Sequence, residues 1–477
     1  MSAAGRTMIL LGTSNVLNKM LWAGVVFLFI RSAGPEGYGL LSAFWAIGAL
    51  LAPLSDFGGS QLLLREGARN RALVQPMFLR FLKIKIVASA VFVVLGILAA
   101  VTIFRAESDL GSGSLVILSA LGVGTPLLDH LHTMATPVLQ IANRLQIFAI
   151  YRVAYFSGLL LAVGGALLAG MDIFAVSMIY LAFTMLWVIA FFRAVWGYIP
   201  GEVQEPPGIV QMIRDGSHFL GVSLLNLAYY RVDLLLVSAL LGATYAGIYG
   251  GQYQVILVFF MFPSVCFNVL FSDLYRKGGR QRALQPYFDA FMKYMNIIAV
   301  GLFTGLVFSA REIMSFLGGS AYMDEVLSFR ILSVLVLLFF CSVALNFMNA
   351  VDRVGRRLRY ETYAIMLTLV GGSLIVPLAG IEGMAMTSVL AYFGAGVFAL
   401  RELFVEQGFE WHTCASQALL VVISSLAAST ALLVPAPLGM NLVLYGAAYL
   451  ALLFLVGVLS RKEVAAILQL RSPLLAE

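Results

Sequence analysis

Arg69-Asn-Arg-Ala-Leu-Val-Gln-Pro-Met-Phe78 returns some 210 residues later as Arg280-Gln-Arg-Ala-Leu-Gln-Pro-Tyr-Phe288. Each copy is a basic loop between two long apolar runs. Three further echoes keep nearly the same spacing. Gly34-Pro-Glu-Gly-Tyr-Gly39 matches Gly242-Ala-Thr-Tyr-Ala-Gly247 at an offset of 208. Asn143-Arg144 matches Asp352-Arg353 at 209, and Leu168-Ala-Gly-Met-Asp172 matches Leu378-Ala-Gly-Ile-Glu382 at 210. The chain therefore reads as a diverged duplication.

Composition says which solvent the duplicated halves face. The 477 residues are 61% hydrophobic and 11% charged, with a mean hydropathy of +0.95. A soluble domain carries roughly 25% charged residues, so most of this surface faces lipid. Four His and three Cys (Cys266, Cys341, Cys414) are too few and too scattered for a disulfide framework or a zinc site. The run from Met8 to Ile30 exceeds a signal-peptide core and has no small-residue cleavage site after it; it reads as a first spanning helix.

A spanning helix needs about 20 apolar residues. Such runs fall at 8–31, 38–63, 84–104, 114–138, 147–169, 173–196, 217–240, 245–271, 288–310, 326–350, 360–379, 383–404, 415–434 and 440–459. The expectation is an all-α integral membrane protein of about fourteen spans. With the N-terminus inside, 24 of the 30 Lys and Arg residues fall on the cytoplasmic face, as the positive-inside rule requires. That set includes Lys85 and Arg152, both assigned to cytoplasmic connections. The net charge of +6 and pI near 9.2 then report topology and not nucleic-acid binding. Both copies of the basic loop lie inside, six spans apart, so the repeat is parallel. The expected organisation is an N-lobe over 1–200, a Pro/Gly-rich linker over 201–208, a C-lobe over 209–405, and an appended helix pair with a cytoplasmic tail over 406–477. In a membrane protein, such a duplication points to a transporter with one central site between its halves.

The chain has no Gly-rich phosphate loop followed by Lys and Ser/Thr, no His-Glu-x-x-His and no Ser or Cys nucleophile signature. Its non-cytoplasmic loops are short, the longest running from Arg311 to Glu325, which argues against an enzyme that works on lipid-linked sugars. The informative residues are polar ones inside the apolar runs, which are costly and usually face a cavity. Asn15, Asn18, Lys19 and Trp22 share one face of the first helix at 100° per residue. Lys19 lies about 16 Å up that helix, near mid-bilayer; the alternative to a binding role is a structural pair with a buried carboxylate. Asn226, Tyr229, Tyr230 and Asp233 share a face of the seventh run, with Arg231 off that face as either a functional cation or a structural partner. Asp56 reads as a proton-exchanging group, a helix cap, or a gate closed by a salt bridge to Arg65. Asp129, His130 and His132 sit in the fourth run. The two His read as hydrogen-bonded interior residues, and metal binding by this trio is disfavoured.

At these residues the chain resembles a known family. Gly34-Pro-Glu-Gly-Tyr-Gly39, then Asp56-Phe-Gly-Gly-Ser-Gln-Leu-Leu-Leu-Arg-Glu-Gly-Ala-Arg69, then Tyr230-Arg-Val-Asp233-Leu-Leu-Leu236, with Gly242 and Ala246-Gly-Ile-Tyr249, resemble polysaccharide-exporter flippases of the Wzx type. These belong to the MOP superfamily with the MATE drug exporters and MurJ lipid II flippases. The resemblance implies two six-helix lobes that alternate access to a central cavity in a bacterial inner membrane. It implies an undecaprenyl-diphosphate-linked oligosaccharide as substrate, glycosyltransferases and a polymerase as neighbours in the pathway, and a monomer without cofactors, coupled to H+ or Na+. Lys19 and Arg231 would meet the diphosphate, and Asn15, Asn18, Trp22, Asn226, Tyr229 and Tyr230 the sugar. Asp56, Asp233, Arg65 and Asp129 would serve as coupling or gate residues. The alternative is a cation-coupled exporter of small amphipathic molecules, although that branch usually has twelve helices and acidic cavities.

Overall fold

The computed structural model describes residues 3–104, 112–201, 204–229, 231–260, 262–263, 281–410, 412–434 and 436–460. Every regular element among them is helical. That follows from the solvent, because lipid offers backbone groups no partners and a helix satisfies them internally. In order these are α1 (Ala3–Asp56), α2 (Gly59–Arg69), α3 (Val74–Phe104), α4 (Ser112–Asp129), α5 (Thr136–Ile141), α6 (Leu145–Leu168), α7 (Ile173–Trp196), α8 (Ile209–Tyr229) and α9 (Val232–Phe259). Then come α10 (Gln281–Phe308), α11 (Ala310–Gly318), α12 (Ser320–Met323), α13 (Val326–Leu337), α14 (Phe339–Ala350), α15 (Val354–Arg401), α16 (His412–Ala428) and α17 (Leu438–Leu455).

By length and apolarity, nine helices among the described residues can cross a membrane, or ten if the bent pair α13–α14 counts as one span. The sequence suggested fourteen. Part of the difference lies in α1 and α15, of 54 and 48 residues. At 1.5 Å per residue each is over twice as long as the ~30 Å hydrocarbon core, and each is interrupted by a glycine. Gly34 has φ 67, ψ −178 and Gly380 has φ 58, ψ −147, a region open essentially to glycine alone.

The duplication is visible in the backbone. Gly242, the partner of Gly34, has φ 83, ψ −179. Gly170 and Gly380, partners at an offset of 210, both have positive φ, at 75 and 58. Asn143 and Asp352 are two of three non-glycine residues with positive φ among the described residues, at 55 and 59. Each ends a helix in the same way: Arg144 N donates to Leu139 O at 2.8 Å, and Arg353 N to Met348 O at 2.7 Å. Ring packing repeats too, with Phe78–Phe192 and Phe288–Phe404 both at 5.9 Å between centroids.

Two compact units divide the chain, Met1–Gly251 and Gln252–Glu477. In the first, the segment after α7 is held in place. Gln204 N donates to Ala72 O at 3.1 Å, Asn70 Nδ2 to Gln204 Oε1 at 2.6 Å, and Arg80 Nη1 to the carbonyls of Pro206 and Pro207 at 3.4 and 2.9 Å. Gln204, Pro206 and Pro207 are thus strapped to the basic loop of the first repeat and the start of α3. The second unit has the matching feature, since the Gln285 side chain exchanges two 3.1 Å hydrogen bonds with the Glu410 backbone. The second copy's loop over 271–280 lies outside the described residues.

Within the second unit, Arg356 bridges Glu402 and Glu406, tying the start of α15 to the helical turn that follows its end, while Arg357 pairs with Glu361 at 2.9 Å. The final pair docks on α10 through two tyrosines: Tyr445 OH donates to Gly301 O at 2.7 Å and Tyr449 OH to Ile297 O at 2.8 Å. Those carbonyls already serve the helix, and their second lone pair takes the phenol.

Candidate substrate site in the first unit

α1 carries the first polar set. Asn15 is exposed, and Asn18, Lys19 and Trp22 are half-buried. Lys19 has no ion-pair partner among the described residues. The amide oxygen of Asn18, one residue away, is buried without a hydrogen-bond partner among the described residues. Trp22 packs against Trp45, Phe156 and Tyr180 at 5.5, 6.1 and 6.3 Å.

Two other cations of this unit, Lys85 and Arg152, are matched by carboxylates. Lys85, with a side chain only 1% exposed, lies 2.6 Å from Asp56 Oδ1 and donates to Thr133 Oγ1 at 2.6 Å. Asp56 also accepts from Ser60 N at 3.1 Å and Ser60 Oγ at 2.8 Å, which helps cap α2. Arg152 Nη1 lies 2.9 Å from Asp129 Oδ1, with its guanidinium over the Phe156 ring at 4.6 Å. These contacts correct three sequence readings. Lys85 and Arg152 are not surface residues of cytoplasmic connections; each sits in a helix and pairs with a carboxylate, buried Asp56 and half-buried Asp129. Arg65 does not close a gate on Asp56; it pairs with Glu66 at 2.8 Å. Removing one partner of a buried pair leaves the other charge uncompensated, and for Lys85 and Arg152 position in an apolar run decided the role more than proximity to a basic loop.

His132 is buried, takes the Asp129 carbonyl as partner and stacks on Phe148 at 5.7 Å. His130 Nδ1 is buried without a hydrogen-bond partner among the described residues. No group of three or more His, Cys, Asp or Glu is placed to hold a metal ion among the described residues.

The second polar set lies where α8 gives way to α9. Tyr230 is outside the described residues, as is the side chain of Asn226. Tyr229 and Arg231 are half-buried. Asp233 is 3% exposed; it accepts from Tyr249 OH at 2.9 Å and from Leu234 N at 2.8 Å. Arg231 is close enough to act electrostatically on Asp233 and on Tyr38 of α1. Tyr38 meets Trp45 at 6.5 Å, and Trp45 meets Trp22. A chain of aromatic rings thus runs from Arg231 to the Lys19 face. No hydrogen bond or ion pair joins Lys19 directly to Arg231 or Asp233.

Sequence reasoning missed Lys85, Thr133 and Arg152. The signal that found Lys19, a charge inside an apolar run, was present for Lys85 between Ile84 and Ile86 and for Arg152 within 147–169.

Duplicated helical halves in lipid, with glycine-broken helices at equivalent positions, define a multi-pass membrane protein with the fold of MOP superfamily transporters. Lipid II flippase MurJ in an inward closed conformation matches with a TM-score of 0.72 at 11% identity, over 93% of this chain and 98% of that one. An inward-facing multidrug resistance MATE family transporter matches at 0.65 and 12%, over 82% and 96%. A MOP superfamily transporter from Pyrococcus furiosus matches at 0.61 and 12%, over 84% and 96%. No curated protein matches in sequence. The profile of the family described as polysaccharide biosynthesis protein matches residues 4–271, and the chain belongs to that family.

Proposed function

We propose that this protein flips an undecaprenyl-diphosphate-linked oligosaccharide from the cytoplasmic to the outer leaflet of a bacterial inner membrane by alternating access, acting as a carrier and not as an enzyme. One observation carries the proposal: Lys19 is a half-buried cation in a spanning helix with no carboxylate partner among the described residues. Leaving such a charge unmatched is costly, and an anionic ligand removes the cost. A diphosphate suits a compact ammonium, and a hydrated sugar suits the Asn18 amide and the Trp22 ring beside it. Membership of a polysaccharide biosynthesis family and the fold shared with a lipid II flippase support the reading.

Ligand-induced thermal stabilisation of the purified protein tests it. Undecaprenyl-diphosphate oligosaccharide should stabilise in a concentration-dependent way, and the same glycan on an uncharged prenol should bind far more weakly. Equal stabilisation by both would refute a diphosphate site.

The proposed topology places both termini and the loop around Arg69 in the cytoplasm. With Cys266, Cys341 and Cys414 replaced by Ala, an Arg69→Cys protein should react with a membrane-impermeant maleimide in inverted vesicles and not in sealed cells. Labelling in sealed cells would invert the topology.

We assign the coupling role to Asp233, which links the start of α9 to Tyr249 beyond the Gly242 break. An ion biases the two states only if it binds them unequally, and a carboxylate joining segments on either side of a break gives it the means. Uphill accumulation of substrate in proteoliposomes should require a proton or sodium gradient, and Asp233→Asn should remove most of that dependence. Gradient dependence unchanged in Asp233→Asn would move the coupling site elsewhere.

A further inference from the structure

One apolar face of α3 is bare where its repeat counterpart is covered. The register that pairs Phe78 with Phe288 pairs α3 with α10 at an offset of 210, and Lys83 with Lys293. On α10 that face is taken by the final helix. A Cβ at Gly301 would stand 2.5 Å from the Tyr449 ring, and one at Gly305 would stand 3.2 Å from the Tyr445 ring. Ile297, one turn earlier, is buried. The same positions on α3 are Val87, Val91 and Leu95, between 49% and 65% exposed. Valine and leucine fill the seats that glycine leaves for the tyrosine rings, and small residues are what bring helices together in lipid. This face of α3 is therefore shaped to meet hydrocarbon chains and not a helix pair.

Beside it lies a groove of about 620 Å³. Its floor is α4 and the turn after it, from Val116 to Leu131; Ile86, Ala90 and Val93 of α3 form one wall and Met178 of α7 stands on the other. The lining is apolar but for Ser89. From Val116 to Leu131 the chain rises about 22 Å, so the groove has a mean section of about 28 Å². A helix 10–12 Å across needs roughly 80 Å² or more, and a chain of eleven isoprene units would overrun the length. One acyl chain fits both dimensions.

Lys83 stands where the head group of such a chain would lie. It shares a face of about 80° with Ile86, Ala90 and Val93 at 100° per residue. It is one turn nearer the basic loop, just outside the apolar run 84–104. It is exposed, with no ion-pair partner among the described residues. At that level a lysine lays its stem on apolar surface and keeps its ammonium among head groups.

We infer that this groove is a binding site for an anionic glycerophospholipid from the leaflet on the basic-loop side, with one acyl chain over α4 between α3 and α7 and the phosphate at Lys83. The site uses none of the residues of the Lys19 face and does not rest on the substrate proposed above.

The full-length protein in nanodiscs tests it, with phosphatidylglycerol carrying a diazirine on one acyl chain and phosphatidylcholine bearing the same chain as control. Photolysis should label peptides of α3, α4 and α7 about fivefold more with the anionic lipid, the difference one lysine makes near anionic head groups. Lys83→Gln should remove that preference and Lys83→Arg should keep it. Gly124→Leu, whose Cβ would meet Leu181 Cδ1 at 3.9 Å, should fill the groove and lower labelling by both lipids at least fivefold. Where it does not accumulate, Ala90→Leu takes its place at an exposed position. Equal labelling by the two lipids in the parent, or a preference that survives Lys83→Gln, would overturn the site. So would displacement of the label by equimolar undecaprenyl phosphate, which would assign the groove to a prenyl lipid, or cross-links from the groove to a second copy of the chain, which would assign it to a dimer.

Discussion

Lys19→Ala should abolish surface polysaccharide while leaving the protein abundant in the membrane. The argument is energetic. A hydrogen bond to a charged group contributes about 1.5–3 kcal/mol, so loss of the ammonium should weaken diphosphate binding roughly 10- to 100-fold. Folding should suffer little, because no carboxylate among the described residues is left uncompensated when Lys19 goes. Lys19→Arg keeps the charge and lengthens the reach, and should retain part of the activity. Polysaccharide display, with an immunoblot for abundance, checks all three proteins. Normal display by Lys19→Ala would make the residue structural or redundant.

Lys85→Met should have the opposite signature, a loss of folded protein. It leaves Asp56 charged and buried without its cation, a change that typically costs about 3–5 kcal/mol. The double variant Asp56→Asn/Lys85→Met removes both charges and should recover most of the lost thermal stability, because a buried pair is worth little more than an apolar pair of similar volume. Thermal unfolding of the four proteins of this cycle gives the coupling. If Lys85→Met unfolds like the parent, the pair does not hold α1 to α3. The contrast with Lys19 is the useful outcome: the buried Lys85 would prove to serve the fold, and the half-buried Lys19 the ligand proposed for it.

The architecture was legible because duplication writes itself twice. Gly34 and Gly242, Asn143 and Asp352, and Gly170 and Gly380 were paired by spacing alone, and each pair shares a positive-φ backbone. Charge partners were less legible. Asp56 meets Lys85 across 29 residues of sequence, and Asp129 meets Arg152 across 23. Such pairs form between helices, and hydropathy records only how far each residue lies along its own helix. Arg65 shows the converse, since an exposed arginine follows its neighbour Glu66 more readily than a carboxylate already held by an ammonium. The segment 201–208 read as an inter-lobe linker because Pro and Gly break helices, and its hydrogen bonds to the first unit were not legible. Proline still offers a carbonyl, however, and Arg80 takes two of them. Within the candidate site, sequence found Lys19 and Asn18 from their shared helical face but could not tell which buried cations lack a partner.

The central claim is that Lys19, which has no ion-pair partner among the described residues, carries a lipid-linked diphosphate sugar across the bilayer. The most direct measurement is translocation of fluorescent undecaprenyl-diphosphate oligosaccharide in proteoliposomes, read by quenching from outside, for the parent protein and Lys19→Ala at equal reconstitution. The account predicts transfer between leaflets by the parent and at least a tenfold slower rate for Lys19→Ala. Equal rates for the two proteins, or no transfer above protein-free vesicles by a folded parent, would contradict it.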